Sequence, residues 1–238
     1  MFYLPLDRLN LLHFLPPEGE VVEIGVAEGE FSQRIRDIVR PKRLHLVDPW
    51  THQDAAGYEA DPSNVPSEEQ EARYQAVQAR FAVEIEAGSV VLHRACSVEA
   101  AKNFADGSLD WVYIDGMHTF EAVKADLGAY AAKIKEGGFI LGHDYTNLPF
   151  YLKMGFGVVE AVNDFVGRSG WHFLALTSDG PPSFVLAKDP AHQNTQVLLA
   201  NLIAKLNGIV EIKDFPERGF EHRTFNLPGV GERVVSSF

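Results

Sequence analysis

The stretch Glu20-Val21-Val22-Glu23-Ile24-Gly25-Val26-Ala27-Glu28-Gly29-Glu30-Phe31-Ser32 decides the fold. Its first five residues are mostly apolar, which predicts a short buried strand. The glycines that follow allow a sharp turn, and apolar residues at helical spacing between Phe31 and Val39 predict that a helix comes next. A helix N-terminus above such a turn offers free N–H groups and a partial positive charge to a ligand. We therefore expect a nucleotide-type cofactor loop at the carboxyl end of the first strand of an α/β sheet.

Composition and charge narrow the class of protein. The 238 residues are 46% hydrophobic and 23% charged, which is typical of one large soluble domain. The net charge of -12 repels phosphates and anionic lipid, so we expect neither nucleic acid nor a membrane as a partner. The single cysteine, Cys96, excludes an intramolecular disulfide. No signal peptide or membrane span is apparent, and we expect a cytoplasmic protein.

Further apolar runs follow the first strand and alternate with helical patterns. Alternation predicts parallel strands joined by right-handed crossovers, and a Ser-Asp-Gly-Pro-Pro turn predicts a closing hairpin. The expected fold is therefore α/β, a Rossmann-like, doubly wound, seven-stranded sheet, mostly parallel, with a terminal antiparallel hairpin strand at one edge and helices on both faces. The helix before the fifth strand is expected to include Ile134 and to end at Gly137-Gly138. The predicted strands are 20–24, 43–48, 89–93, 109–114, 139–141, 171–176 and 183–187.

The chain divides into a main domain and an extension. We predict one domain over residues 1–190, in which residues 50–66 lack periodicity and form a mobile loop that could act as a lid over the site. Residues 191–238 are predicted to be a helix from Gln196 to Leu206 and a tail. This extension would pack on the domain or across a homodimer.

Acidic residues stand at the ends of the predicted strands, where ligands bind in open α/β sheets. Asp48 ends the second strand, about 20 residues after Gly25, a spacing typical of the acid that takes ribose hydroxyls. Asp115 ends the fourth strand, and His143 and Asp144 follow the fifth. The sequence thus predicts that these groups meet along one rim.

Four segments in this order carry a resemblance to a known family. They are Val22–Gly25 with Gly29, Leu46–Trp50, Asp110–His118 and Glu136–Tyr145. Over roughly its first 190 residues the chain resembles class I S-adenosylmethionine-dependent methyltransferases, and most of all the branch that includes macrocin O-methyltransferase and cephalosporin-hydroxylase-type proteins. The resemblance implies S-adenosylmethionine as the cofactor and O-methylation of a small hydroxylated metabolite or sugar.

The resemblance also implies which residues bind the cofactor. Asp48 would accept both ribose hydroxyls, because a carboxylate can take two donors at once. Trp50 would cover the adenine or ribose, and Ser97 would contact adenine, although a core aromatic and a helix cap explain these two equally well. The full expected set is Glu23, Gly25, Gly29, Ser32, Asp48, Trp50, Ser97 and Asp115.

At the acceptor side, relatives hold a magnesium-like ion at the places of Asp115, His143 and Asp144. The histidine departs from that pattern, because imidazole suits softer ions better than magnesium, so the identity of a bound divalent metal stays open. His118, three residues after Asp115, could be a ligand, a general base or only a helix cap. The expected catalytic residues are His118, His143 and Asp144.

Two other functions stay open on the same sequence. A nicotinamide-dependent oxidoreductase would share the fold, but the first turn lacks the Gly-x-Gly-x-x-Gly spacing of that class. A non-catalytic assembly domain would use the extension as its interface, but would not need the ionisable groups at the rim.

Overall fold

The computed structural model describes residues 1–55, 58–59, 61–217 and 219–238 of the chain. Ala56, Gly57 and Ala60, which belong to the predicted lid loop, lie outside the described residues, as does Arg218.

A nine-stranded sheet organises the described residues. Its order is β4-β3-β2-β5-β6-β8-β7-β1-β9, and β2 to β6 form the parallel part. A separate two-stranded sheet pairs β10 with β11. The strands are β1 (Phe2–Leu4), β2 (Glu20–Ile24), β3 (Arg43–Asp48), β4 (Val90–Arg94), β5 (Leu109–Ile114), β6 (Ile134–Gly142), β7 (His172–Thr177), β8 (Phe184–Ala187), β9 (Val210–Glu211), β10 (Glu221–Leu227) and β11 (Gly231–Ser237).

Helices connect these strands and cover both faces of the sheet. Short 3₁₀ turns also occur at Leu12–Phe14 and Ala101–Asn103. The helices are α1 (Arg8–Leu11), α2 (Glu30–Ile38), α3 (Ser67–Arg80), α4 (Ala82–Glu86), α5 (Ser97–Ala100), α6 (Phe120–Ala131), α7 (Pro149–Lys153), α8 (Val158–Ser169) and α9 (Gln193–Lys205).

Alternate residues of the central strands enter two different cores. Val21 and Leu46 pack in the cluster that includes residues of α2, α3 and α9. Val22 and Val47 pack in the cluster that includes residues of α5, α6 and α8. Because successive side chains of a strand point to opposite faces, a sheet covered on both sides needs continuous apolar strands, as this sequence has.

The structure corrects the expected sheet in two ways. The short strands β1 and β9 extend it from seven strands to nine. The antiparallel strand β8 does not lie at an edge, since it pairs with β6 on one side and β7 on the other, and β7 then pairs with β1. Three- and two-residue strands such as β1 and β9 carry too few residues for a period-two pattern to reveal them.

The end of α6 also differs from the prediction. Ile134 begins β6 instead of ending the helix, and Gly137-Gly138 lies inside that strand. Close packing explains the glycine, because a Cβ on Gly138 would lie 2.5 Å from the carbonyl oxygen of Asp110. A glycine in a strand can mark such a close backbone approach as well as a turn.

The predicted C-terminal extension contributes to the main sheet and also forms a hairpin. Thr195, Leu198 and Leu202 of α9 are buried, and β9 pairs with β1. The tail, for which the sequence predicted no element, forms the β10–β11 hairpin. Within the described residues, no helix is long and apolar enough to cross a membrane.

The buried faces of the sheet predict where stability resides. Leu46 is 0% exposed in β3, so Leu46→Ala should lower the free energy of unfolding by about 2–5 kcal/mol. Val83 in α4 is 76% exposed, and Val83→Ala should change it by less than about 0.5 kcal/mol. Urea unfolding of both variants checks this, and equal losses would contradict the assignment of Leu46 to the core.

Candidate active site

The first glycine turn touches the backbone that follows β5. Gly25 has φ +82°, and a Cβ there would lie 1.9 Å from the carbonyl oxygen of Asp115. The amide of Asp115 donates to the carbonyl of Ile24 over 2.9 Å. Only glycine tolerates both this backbone conformation and this contact. The turn thus brings Asp115 directly beside the predicted cofactor loop.

Asp48 holds the same loop by hydrogen bonds. Its Oδ2 accepts from the amides of Val26 at 3.0 Å and Ala27 at 3.1 Å, and its Oδ1 accepts from the amide of Trp50 at 2.7 Å. Burial raises the pKa of Asp48, and these N–H groups oppose that effect. An ionised carboxylate has about four acceptor positions, so one remains for a ligand.

A cavity of about 250 Å³ opens between this loop and α6. Five residues of the segment predicted as a lid line this cavity, namely Thr51, Gln53, Tyr58, Ser63 and Asn64. The cavity is also lined by four residues of the predicted cofactor set, namely Gly25, Asp48, Ser97 and Asp115.

Trp50 lies in the core, which is one of the two places that its sequence context left open. It is 1% exposed in the core, packs its ring 5.0 Å from that of Tyr74, and donates from Nε1 to the carbonyl of Ala27 over 3.0 Å. Its φ of +44° is unusual for a bulky residue. Trp50 thus supports the cofactor loop from below instead of covering the cavity.

Three further predicted residues lie behind the loop. Gly29 is the N-cap of α2, while Glu23 and Ser32 are 1% and 0% exposed and do not line the cavity. Burial raises the pKa of Glu23 to about 8, and the nearby Ser32 hydroxyl opposes the shift without making a hydrogen bond of good geometry. Glu23 is therefore a neutral acid beneath the loop at neutral pH.

His118 is the centre of the rim. Its Nδ1 lies 3.0 Å from Asp61 Oδ2, and its ring stacks on Phe156 with centroids 4.4 Å apart. Its Nε2 is 3.0 Å from Asp144 Oδ2 and 3.6 Å from Asp115 Oδ1, but neither contact has hydrogen-bond geometry. This buried nitrogen therefore has no hydrogen-bond partner within the described residues.

The three predicted metal ligands lie together, with His118 as a further candidate beside them. Nδ1 of His143 is 3.1 Å from Asp144 Oδ2 and 3.7 Å from Asp115 Oδ1. Ligand atoms of Asp115, His118 and Asp144 also lie within 4.8 Å of one another. The two histidines are thus at nearly equal distances from both carboxylates, and His118 has in addition a buried Nε2 without a hydrogen-bond partner among the described residues.

The charges at the rim stabilise one another. Burial lowers the pKa of His118, but the carboxylates of Asp115, Asp144 and Asp61 outweigh it and leave the pKa well raised. The pKa of Asp144 is lowered, because His118 and His143 outweigh the effect of burial. The isolated rim thus holds a histidinium between carboxylates.

Sequence reasoning missed three residues of the site. Arg8 reaches from α1 to Asp115 over 2.8 Å, and Asp61 comes from the loop before α3. Both contacts join distant parts of the chain, and neither residue carries a local motif. Asp126 lines the cavity from α6. The sequence does carry one indication of it, because Asp126 is an acid within the apolar stripe Val123–Tyr130.

Comparison with known proteins agrees with this architecture. A family model described as "Methyltransferase domain" matches residues 22–145, which include the cofactor loop, Asp48 and the rim. No curated protein matches the chain significantly.

Among solved structures, three similar ones show the same fold. One is a Corynebacterium glutamicum protein, with 14% identity, TM-score 0.51, and coverage of 80% of this chain and 85% of that one. Another is described as an rRNA methylase from Clostridium thermocellum, with 15% identity, TM-score 0.52, and coverage of 76% and 94%. A third is an O-methyltransferase family protein from Burkholderia thailandensis, with 12% identity, TM-score 0.51, and coverage of 75% and 54%.

The close backbone contact at Gly25 predicts a severe effect of one methyl group. Gly25→Ala should lose stability or ligand binding because its Cβ cannot fit beside Asp115. Gly128→Ala is the matched control, since nothing lies within 4 Å of a Cβ there and helix α6 gains up to about 1 kcal/mol from alanine. Thermal unfolding and calorimetry with S-adenosylhomocysteine distinguish the two. A Gly25→Ala variant that matches Gly128→Ala in both measurements would contradict the geometry.

Buried Glu23 predicts a pH dependence. Its pKa is higher in the folded chain, at about 8, than in the unfolded chain, so folding loses stability as the pH rises from about 4.5 to 8. Glu23→Gln does not titrate, and its stability relative to the wild type should increase over that interval by on the order of 2–4 kcal/mol. Urea unfolding at pH 5 and pH 8 measures this, with exposed Glu86→Gln as the control. A constant difference between Glu23→Gln and the wild type would show that Glu23 is ionised in the fold.

Proposed function

Because the chain belongs to the methyltransferase-domain family, we propose that it is an S-adenosylmethionine-dependent O-methyltransferase of small hydroxylated metabolites or sugars. The observation that carries this proposal is that Asp115 lines the cavity and also belongs to the ionisable rim. A methyl donor in the cavity would therefore face the groups that orient and deprotonate an acceptor. The family match favours methyl transfer over the nicotinamide oxidoreductase and the assembly domain.

The acceptor class is supported by charge. A net charge of -12 opposes a nucleic acid acceptor, whereas a small neutral hydroxyl compound meets no such repulsion. Within the family, we propose that the chain belongs to the branch of macrocin O-methyltransferase and cephalosporin-hydroxylase-type proteins. We also propose that it is cytoplasmic and forms a homodimer.

In the proposed arrangement, the cavity aligns the donor. Gly25 lets the cofactor lie against the backbone, Asp48 accepts from one ribose hydroxyl through its remaining acceptor position, and Ser97 lies toward the base. Methyl transfer from a sulfonium needs alignment more than activation, because the methyl carbon is already electrophilic. Gln53, Tyr58 and Asn64, which line the cavity, would help to exclude water from the donor.

The rim residues fit a divalent metal ion. His118 Nε2 is a buried nitrogen without a hydrogen-bond partner among the described residues, and carboxylates of Asp115 and Asp144 lie beside it. Asp61 accepts from Nδ1–H of His118 and so keeps Nε2 free for the ion, a common arrangement for histidine ligands. A mixed nitrogen and oxygen set suits manganese, iron or zinc better than magnesium. When bound, such an ion would lower the pKa of an acceptor hydroxyl.

The protonation of His118 would depend on whether an ion is bound. In the isolated rim the raised pKa of His118 keeps it protonated, so it cannot accept a proton from an acceptor at neutral pH. A cation held by Asp115 and Asp144 would withdraw their support of the histidinium and favour the neutral ring. Phe156, stacked on His118, keeps that ring in place.

Two measurements test the proposal. Calorimetry should show that the wild-type protein binds S-adenosylhomocysteine. A turnover assay with S-adenosylmethionine and a panel of sugars and polyols should then show the formation of S-adenosylhomocysteine with at least one acceptor. His118→Gln and Asp144→Asn should keep the binding within about threefold but lose turnover, while the exposed His172→Gln serves as the control. No detectable binding by the wild type would defeat the methyltransferase proposal.

The metal proposal has its own measurement. Titration with Mn²⁺, followed by the loss of the free-ion electron paramagnetic signal, should show one site that His118→Gln and Asp144→Asn remove. Asp61→Asn should weaken it by about 10–100-fold, since Asp61 only orients the ligand. Full activity after treatment with a chelator, or unchanged Mn²⁺ affinity in His118→Gln, would refute this part.

A further inference from the structure

An acidic side chain lies on the buried face of α6 without a basic partner. Asp126 is 4% exposed and shares this face with Val123, Leu127 and Tyr130, which are all core residues. No basic side chain of the described residues pairs with it. A buried carboxyl group without a compensating charge is costly in a fold, so its retention calls for a reason beyond packing.

The contacts of Asp126 leave one oxygen for the cavity. The Ser97 hydroxyl donates to Oδ1, and Tyr130 Oη donates to the carbonyl of Ser97 over 3.1 Å, which holds Ser97 in place. The other oxygen, Oδ2, faces Gly116, where an added Cβ would lie 4.0 Å from it. Because Gly116 has no side chain, Oδ2 is not covered from that direction, and Asp126 lines the cavity.

The cavity also has an apolar lining that suits a flat aromatic group. Val98 of α5, Ala122 and Ala125 of α6, and Met117 from the segment between β5 and α6 all line it with Asp126. Apolar side chains with a few polar groups among them are a common way to bind and orient a ligand. Asp48 lines the same cavity from the end of β3.

We propose that Asp126 reads the Watson–Crick edge of the cofactor's base and makes the cavity selective for adenine over its deaminated form, hypoxanthine. The inference rests on the proposed function, because it assumes an S-adenosyl ligand with its ribose at Asp48. It assigns Asp126 as a specificity-determining residue, held in position by Ser97.

Hydrogen-bond chemistry explains the selectivity. Burial raises the pKa of Asp126 to about 7, so the neutral acid is well populated near neutral pH. Since Ser97 donates to Oδ1, the proton of the neutral acid resides on Oδ2. An O–H donor there matches N1 of adenine, which is an acceptor, so adenine binds the neutral acid. The N1–H donor of hypoxanthine opposes that O–H and would need the ionised carboxylate, which burial disfavours.

The test compares two ligands on the full-length protein, S-adenosylhomocysteine and S-inosylhomocysteine, by calorimetry. The wild type should prefer the adenine compound by roughly tenfold or more, since a mismatched buried donor loses its partner. In Asp126→Ala and Asp126→Leu the preference should fall to about twofold or less. Asp126→Asn should retain it, because the amide offers an N–H donor and a carbonyl acceptor at the same two positions.

The ratio of the two affinities is internal to each preparation, so a partly unfolded variant still reports it. Asp126→Leu fills the volume of the site if alanine fails to fold. Asp48→Asn is the control and should weaken both ligands equally. An unchanged preference in Asp126→Ala or Asp126→Leu, or no preference in the wild type, would overturn the inference. If the wild type binds neither ligand, the proposed function itself fails, which is a different outcome.

Discussion

The contact between the backbones of Gly25 and Asp115 is the constraint on which the site depends. A side chain at Gly25 would overlap the carbonyl oxygen of Asp115, so the two strand ends can meet only through glycine. Because Asp115 lines the cavity and also belongs to the rim, this contact places the cavity beside His118. The hydrogen bonds of Asp48 and the buried ring of Trp50 then hold the loop in this contact. Because Gly25 has no Cβ, the cavity proposed for the methyl donor lies next to the rim groups proposed to act on the acceptor.

The rim balances three acids against three basic groups from distant segments. Arg8 pairs with Asp115, and the two histidines lie among the carboxylates. The carboxylates raise the pKa of both histidines, and these positive charges in turn lower the pKa of Asp144. A divalent ion would replace that positive charge, so its binding would release protons and depend on pH. This coupling links the electrostatics of the isolated fold to the proposed chemistry.

The sequence could predict the parts of the fold that depend on local patterns. The β2 turn, the acid at Asp48 and the strand-end groups follow from periodicity and spacing, which short segments encode. The sequence could not decide whether Trp50 lies in the core or over the cavity, because burial of an aromatic ring depends on what packs against it, here Tyr74. Arg8 reaches Asp115 across more than a hundred residues, a contact that no local pattern records. Asp126 did carry a signal, an acid in an apolar stripe, whose meaning needed the cavity beside it.

The central claim is that one S-adenosyl ligand spans the cavity from Ser97 to Asp115 over the first glycine turn. A crystal structure of the protein with S-adenosylhomocysteine measures this most directly. The account predicts a ribose oxygen within about 3.2 Å of Asp48 Oδ1 and the sulfur on the side of Gly25 and Asp115. A nucleoside bound away from Asp48, or a sulfur directed away from the rim, would contradict it.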